Sequence, residues 1–324
     1  MGMHILLTGA AGFIGSNLAE WLCDRGDRVT GFDNFDPFYP RKVKEQNLAR
    51  LRARKDFKLV EGDLMDPHDI DQAFEVAGQV DAVVHLAALA GVQPSIANPG
   101  RTWNVNVNGT LHLLHASHEA GVKRIVCASS SSVYGMDSEV PFSESDPCSR
   151  PLSPYAASKR AGELMAFNHH HLYGAAVTCL RFFTVYGPRQ RPDLAIHKFT
   201  RLIAAGQPIE LFGDGTTSRD YTWIDDILDG VVAAVDQQAR DTRTAYRIYN
   251  LGGSRPTSLK ELVDHISAAL GKQAVITWKP EQPGDMKHTL ADVALAHSDL
   301  GYSPQVSITA GIPRFVSWWR SVNP

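Results

Sequence analysis

Through the first 186 residues, short apolar runs alternate with longer stretches of helical periodicity. The runs at 4–8, 28–32, 57–61, 82–86, 124–128 and 176–182 are rich in aliphatic and aromatic residues and show little polar alternation. Strands buried on both faces read this way. Between them, 14–24, 43–52, 69–77, 106–120 and 155–173 read as helices. Such alternation predicts an α/β fold, with a doubly wound parallel sheet covered by helices on both sides. After Tyr186 the texture changes. Pro and Gly become frequent, and short strands at 209–212, 246–251 and 274–278 mix with two clear helices at 223–236 and 258–270. Residues 1–186 are therefore expected to form one domain. Residues 187–324 should form mainly a smaller mixed α/β lobe for substrate, interleaved with the first and packed on the carboxyl ends of its strands, where open α/β sheets bind ligands.

The first strand runs into Thr8-Gly9-Ala10-Ala11-Gly12-Phe13-Ile14-Gly15, which opens the first helix. Gly9 permits a tight turn, Gly12 lets backbone approach a pyrophosphate, and Gly15 lets helix and strand pack closely. The spacing is Gly-x-x-Gly-x-x-Gly rather than Gly-x-Gly-x-x-Gly, but the strand–turn–helix setting is that of a Rossmann dinucleotide site. Phe13 and Ile14 belong to the same cradle. Asp33 ends the second strand, 18 residues past Gly15. A carboxylate there accepts from the adenosine ribose hydroxyls and repels a 2′-phosphate, which favours NAD over NADP. The alternative is a turn-forming Asp before Asn34. Asp63 and Leu64 are placed to bracket the adenine, and Leu86, Ala87 and Ala88 to line phosphate and ribose.

Tyr155 and Lys159 stand one helical turn apart in Ser-Pro-Tyr-Ala-Ala-Ser-Lys. A phenol alone, with a pKa of about 10, is a poor base. An ammonium at i+4 on the same helix face favours the phenolate. Helices carry such pairs by chance. Here, however, the pair follows both the glycine turn and the serine run 129–132, from which Ser130 could complete a proton-transfer site.

Composition narrows the partners. The formal charge of −3 over 324 residues gives no reason to expect nucleic acid, and no apolar run approaches the ~20 residues that span a bilayer. The chain enters its first strand directly, with no basic leader. Four well-separated cysteines read as reduced thiols, which suggests the cytoplasm. His169-His170-His171 would point in different directions on a helix and cannot converge on one ion, so these histidines are expected on partly exposed helix surface and no metal is expected. The charged stretch 41–55 reads most simply as a solvated helix face, with the border of the cofactor entrance as the alternative, and Trp318-Trp319 reads as a helix docking the tail.

The glycine turn, Asp63-Leu64, Leu86-Ala87-Ala88, Asn106-Val107-Asn108-Gly109-Thr110, the serine run and Tyr155-x-x-x-Lys159 together resemble the extended short-chain dehydrogenases/reductases. Arg219-Asp220-Tyr221 and Tyr249-Asn250-Leu251-Gly252 extend the likeness over essentially the whole chain. Within that family the chain is similar to the NAD-dependent nucleotide-sugar 4-epimerases. Arg181-Phe182-Phe183-Thr184-Val185-Tyr186-Gly187-Pro188, Arg191-Pro192-Asp193, Ala90-Gly91-Val92 and Gln282-Pro283-Gly284-Asp285 are similar to UDP-glucuronate 4-epimerases. The resemblance implies that Tyr155 is the general base, that Lys159 holds the nicotinamide ribose, and that Ser130 bonds the reacting hydroxyl. Asn106 would support the cofactor, and Arg219 would bind the UDP diphosphate, with Asp285 also on the substrate side. It implies a homodimer through the helices near 106–120 and 155–173.

The expected reaction is C4 epimerisation of a UDP-sugar through a transient 4-ketone, with UDP-glucuronate as substrate. Relatives that dehydrate or decarboxylate carry acidic residues where Ser131 and Ser132 stand here, so the proton carrier for those reactions is missing. Thr184, Arg191 and Ser131 are the candidates to hold the sugar carboxylate, since an arginine fork suits it; the plain alternative for Arg191 is a solvated loop arginine. Rival activities are UDP-glucose/UDP-galactose interconversion, decarboxylation or 4,6-dehydration, and a non-enzymatic dinucleotide sensor. One departure stands out: Gln93-Pro94 replaces the Arg-Tyr usual in glucuronate epimerases.

Overall fold

The computed structural model describes residues 2–241, 244–281, 284 and 286–323. In chain order its first part runs β1 (His4–Thr8), α1 (Phe13–Asp24), β2 (Arg28–Asp33), α2 (Arg41–Leu48), β3 (Phe57–Glu61), α3 (Pro67–Ala77) and β4 (Ala82–His85). Two short helices, α4 (Val92–Ala97) and α5 (Pro99–Trp103), then lead through a π-helical turn at Asn104–Asn108 into α6 (Gly109–Glu119). Next come β5 (Arg124–Ser130), α7 (Pro154–Tyr173), β6 (Ala176–Phe182), β7 (Thr184–Tyr186), α8 (Ala195–Ala204), β8 (Ile209–Phe212) and β9 (Ser218–Trp223). The chain closes with α9 (Ile224–Arg240), β10 (Tyr246–Leu251), β11 (Pro256–Ser258), α10 (Leu259–Leu270), β12 (Ile276–Lys279), α11 (Ala294–Leu300) and α12 (Ile308–Val322).

Seven parallel strands form the central sheet in the order β10-β6-β5-β4-β1-β2-β3. All residues of β1 and β6 are buried, as the unbroken apolar runs require of strands covered on both faces. The chain builds outward from β1 to β3, then restarts on the other side at β4. The crevice at this reversal lies beyond the carboxyl ends of β1 and β4.

One strand is not where its neighbours in sequence are. Although 246–251 lies among the short strands of the second half, β10 pairs in parallel with β6, from Tyr246 against Val177 to Leu251 against Phe182. The crossover is α9, which packs on β5 and β6. Hydrophobic pattern identifies a strand but not its partner, and this βαβ unit closes over an excursion that also builds β7, β8 and β9. The remaining strands form a three-stranded sheet, β11-β9-β7, and a two-stranded one, β12-β8.

Two stretches of charged or histidine-rich helix are buried on one side. In 41–55, Arg41, Lys42 and Arg50 are exposed, but Lys44, Asn47, Leu48 and Leu51 are buried on the inward side. His169 is buried against His118 in an edge-to-face contact with ring centroids 6.4 Å apart, and burial pushes its pKa down to about 4. His171 is exposed. Among the described residues, no group of three or more His, Cys, Asp or Glu side chains is placed to hold a metal ion.

A buried ion pair fastens α7 to the sheet. Glu163 and Arg181 side chains are each 1% exposed. Glu163 Oε1 accepts from Arg181 Nε at 2.9 Å and from Ser129 Oγ at 2.6 Å, and Oε2 accepts from Arg181 Nη2 and Arg160 Nη1, both at 3.0 Å. Arg181 Nη1 donates to the Tyr134 hydroxyl at 3.1 Å, which donates to Asn250 Oδ1 at 2.7 Å on β10. Removing one partner of such a pair strands a buried charge. Glu163→Ala should therefore lower unfolding stability by about 3–5 kcal/mol, whereas Arg160→Ala, at the solvated edge, should cost about 1 kcal/mol or less. Urea unfolding of the two variants checks the difference.

Candidate active site

The turn after β1 is shaped by backbone. Gly9 has φ 73°, and its N–H donates to Phe32 O at 2.8 Å. A Cβ on Gly9 would lie 2.8 Å from Ala87 N, and one on Gly15 would lie 2.1 Å from Gly9 O. Neither contact is tolerable, so β1, β4 and α1 approach this closely only because both positions are glycine. The result is a turn of closely packed backbone at the N-terminus of α1, which suits a pyrophosphate. Asp33 Oδ2 accepts from Ala11 N at 3.0 Å and Oδ1 from Phe35 N at 2.8 Å, with Lys44 Nζ 3.4 Å from Oδ1. The carboxylate thus ties the next turn and also lines the cavity, so the turn-forming and ligand-facing readings of Asp33 are compatible. These features fit a dinucleotide.

The cavity above this cradle has a volume of about 360 Å³. It gathers Gly9, Gly12, Phe13, Ile14, Gly15, Asp33, Asn34, Asp63, Leu64, Leu86, Ala87 and Ala88 on the cradle side, then Ser130, Tyr155, Lys159, Thr184 and Arg191. Asn34 Nδ2 donates to Asp63 Oδ2 at 3.0 Å, joining the ends of β2 and β3 across the rim.

Tyr155 and Lys159 project from the first two turns of α7. Ser153 caps that helix, accepting from Ala156 N, and Pro154 occupies its first position. Ser95 Oγ accepts from Tyr155 N at 3.0 Å, which locks the helix start to α4. Burial pushes the Tyr155 phenol above its ordinary value; a hydrogen bond with Ser130 and the charge of Arg191 pull the other way. Lys159 Nζ donates to Ala128 O at 2.8 Å, and desolvation lowers its pKa to about 8. The i+4 spacing led us to expect the ammonium to favour the phenolate. In the structure Lys159 Nζ is engaged by the β5 carbonyl of Ala128, and Ser130 and Arg191 are the groups that draw the phenol down.

The family model for the NAD dependent epimerase/dehydratase family matches residues 5–252. The chain belongs to that family. A curated UDP-glucuronate 4-epimerase of Thermodesulfobacterium geofontis is 39% identical over 316 residues, covering 97% of this chain and 95% of the relative. The crystal structure of UDP-glucuronic acid 4-epimerase from Bacillus cereus, in complex with UDP-glucuronic acid and NAD, superposes with a TM-score of 0.91 at 34% identity, covering 99% of this chain and 100% of the other. A Thermus thermophilus UDP-glucose 4-epimerase in complex with NAD gives 0.87 at 31% identity, over 98% and 99% of the two chains.

For this epimerase/dehydratase family member, three of the expected site residues are not among the described residues that line the cavity. Ser131 opens the 3₁₀ turn Ser131–Val133 and is not among the described lining residues. Asn106 acts from behind the wall: its amide exchanges hydrogen bonds with Leu89 N and O, at 2.8 and 3.0 Å, and donates to Ser158 Oγ. Arg219, on β9, donates to Ser218 O and Lys287 O and is also outside the lining. Asp285 lies outside the described residues. Phe38 and Tyr39 line the cavity without having been anticipated, and Lys44 lines it from the charged stretch 41–55 that was expected to be solvated or to border the cofactor entrance. A signal for Lys44 existed: Lys44, Asn47, Leu48 and Leu51 repeat at helical spacing on one face.

The state of Lys159 has a consequence for stability. Its pKa falls from 10.5 to about 8 on folding, so the folded protein binds fewer protons between those values. The penalty for burying the ammonium is complete below pH 8 and fades as the pH rises toward 10.5. Lys159→Met should stabilise the protein without ligand by about 1–3 kcal/mol at pH 7, and the gain should shrink by pH 10. Thermal unfolding at both pH values measures it.

Proposed function

We propose that this protein interconverts the C4 epimers of UDP-glucuronate and UDP-galacturonate, with NAD as resident cofactor. The observation that carries the reading is one cavity that joins a glycine-shaped dinucleotide cradle to Ser130, Tyr155 and Lys159 and to a guanidinium, Arg191. Tyr155, as phenolate, takes the proton of the sugar C4 hydroxyl, and Ser130 holds that oxygen in line with it. NAD supplies reversible hydride acceptance at C4. Lys159 holds the ribose hydroxyls near the nicotinamide. The 4-ketone then turns its other face, and Tyr155 returns the proton. No carboxyl group follows Ser130 in the turn, where Ser131 and Ser132 stand, which disfavours dehydration and decarboxylation. Thr184 and Arg191 hold the sugar carboxylate away from the orientation in which a β-keto acid loses carbon dioxide. Arg219 takes the diphosphate from the smaller lobe, which is built mainly from 187–324.

Tyr155→Phe should lose nearly all turnover yet still bind NAD. Product NMR with UDP-glucuronate and UDP-glucose checks both base and substrate; faster turnover of UDP-glucose would overturn the uronate assignment.

The finer statement on assembly is a homodimer. On α7, Leu164 and Phe167, one turn apart, are exposed, and Leu111 is exposed on α6, which packs on α7; exposed large apolar residues on adjoining helices suit a self-complementary interface. Leu164→Asp should convert a dimer into a monomer in analytical ultracentrifugation. We place the protein in the cytoplasm because all four cysteines are free, a reading that cell fractionation tests. No helix among the described residues is long and apolar enough to cross a membrane.

A further inference from the structure

Arg191 faces the cavity already engaged. Its Nε and Nη2 donate to the two oxygens of Asp193, at 3.0 and 2.7 Å. Nη1 and Nη2 both donate to Ala90 O at 3.2 Å. A guanidinium has five N–H groups and two edges along which a pair of them points the same way. Asp193 takes one edge and Ala90 takes the other, leaving a single N–H on Nη1. The plane is held by Phe38, whose ring centroid lies 4.8 Å from the guanidinium carbon. A second carboxylate can therefore be gripped by two parallel bonds only if one occupant leaves. Ala90 O is main chain in the cavity wall. Asp193 is a side chain, 39% exposed, while Arg191 is 15% exposed. An ion pair with one member so solvated holds weakly, and its carboxylate loses little by returning to water.

We infer that Asp193 sets substrate specificity as an internal carboxylate that occupies the Arg191 fork and is exchanged for the sugar carboxylate when a uronate binds. This rests on the uronate reading of Arg191 given above. A neutral hexose leaves the pair intact and meets a charge-balanced wall. A uronate must displace Asp193, so the resident carboxylate tempers uronate affinity and helps product to leave. Specificity is a difference between two affinities, and an internal competitor acts on one of them alone. Asp193 works through Arg191 and is a positioning residue.

Calorimetric titration of NAD-loaded protein with UDP-glucuronate and UDP-glucose tests this for the wild type, Asp193→Asn, Asp193→Ala and Arg191→Ala. Both Asp193 variants should bind UDP-glucuronate about three- to tenfold more tightly, with UDP-glucose changing less than about twofold. The KM for the uronate should fall in step. Unchanged or weaker uronate binding in both variants would overturn the inference, because Asp193 would then be steadying Arg191 rather than competing for it. Arg191→Ala separates the two levels. It should weaken the uronate far more than the neutral sugar; an equal effect on both would remove the uronate reading itself, whatever Asp193 does.

Discussion

A carboxylate and a guanidinium, both out of reach of water, decide how α7 sits on the central sheet. Burying Glu163 and Arg181 removes the hydration of two charges, a cost that is met only when nearly every lone pair and N–H finds a partner. Glu163 receives four hydrogen bonds, from Ser129, Arg160 and Arg181. Those partners come from α7, β5 and β6, and Tyr134 carries the network to Asn250 on β10. The geometry of the site follows. Lys159 lies one helical turn before Glu163 and Tyr155 lies two turns before it, while Ser129 adjoins Ser130. Holding Glu163 on β5 and β6 therefore also sets the distance across which Tyr155 and Ser130 meet.

The same burial shapes the proton chemistry. Desolvation pushes the Tyr155 phenol up and the Lys159 ammonium down, so burial shifts each toward its neutral form relative to water. Ser130 and Arg191 work against that at Tyr155. Arg191 is balanced by Asp193, which limits how far its charge reaches. Exchange of Asp193 for a sugar carboxylate would keep Arg191 neutralised and leave the field at Tyr155 nearly unchanged, so uronate binding need not weaken the base that acts on it.

What was legible in the chain was what local pattern encodes. The strands β1 to β6, the glycine turn and the Tyr155–Lys159 helix follow from runs and spacings within about twenty residues. Tertiary choices were not legible. β10 has the composition of any short buried strand, and only folding of α9 onto β5 and β6 makes it the edge of the main sheet. Lys44 looks like one more charge on a solvated helix, yet its stem lies inward and its ammonium is 3.4 Å from Asp33. His169 shares a triplet with the exposed His171, but helical geometry turns it inward. Arg191 lines the cavity, while the partner on its fork, two residues away, could be recognised only from side-chain directions.

Lys44 also alters the argument for NAD over NADP. Asp33 was expected to exclude a 2′-phosphate by repulsion, but an ammonium 3.4 Å from its carboxylate offsets much of that charge. Selectivity then rests on hydrogen-bond direction. Oδ1 of Asp33 already accepts from Phe35 N and Lys44, and Oδ2 from Ala11 N, so the lone pair left on Oδ2 can only accept. A ribose hydroxyl bound there would donate to it; an ionised phosphate would have nothing to donate. The carboxylate would then keep a buried acceptor unpaired, a penalty that persists even where charge repulsion is balanced.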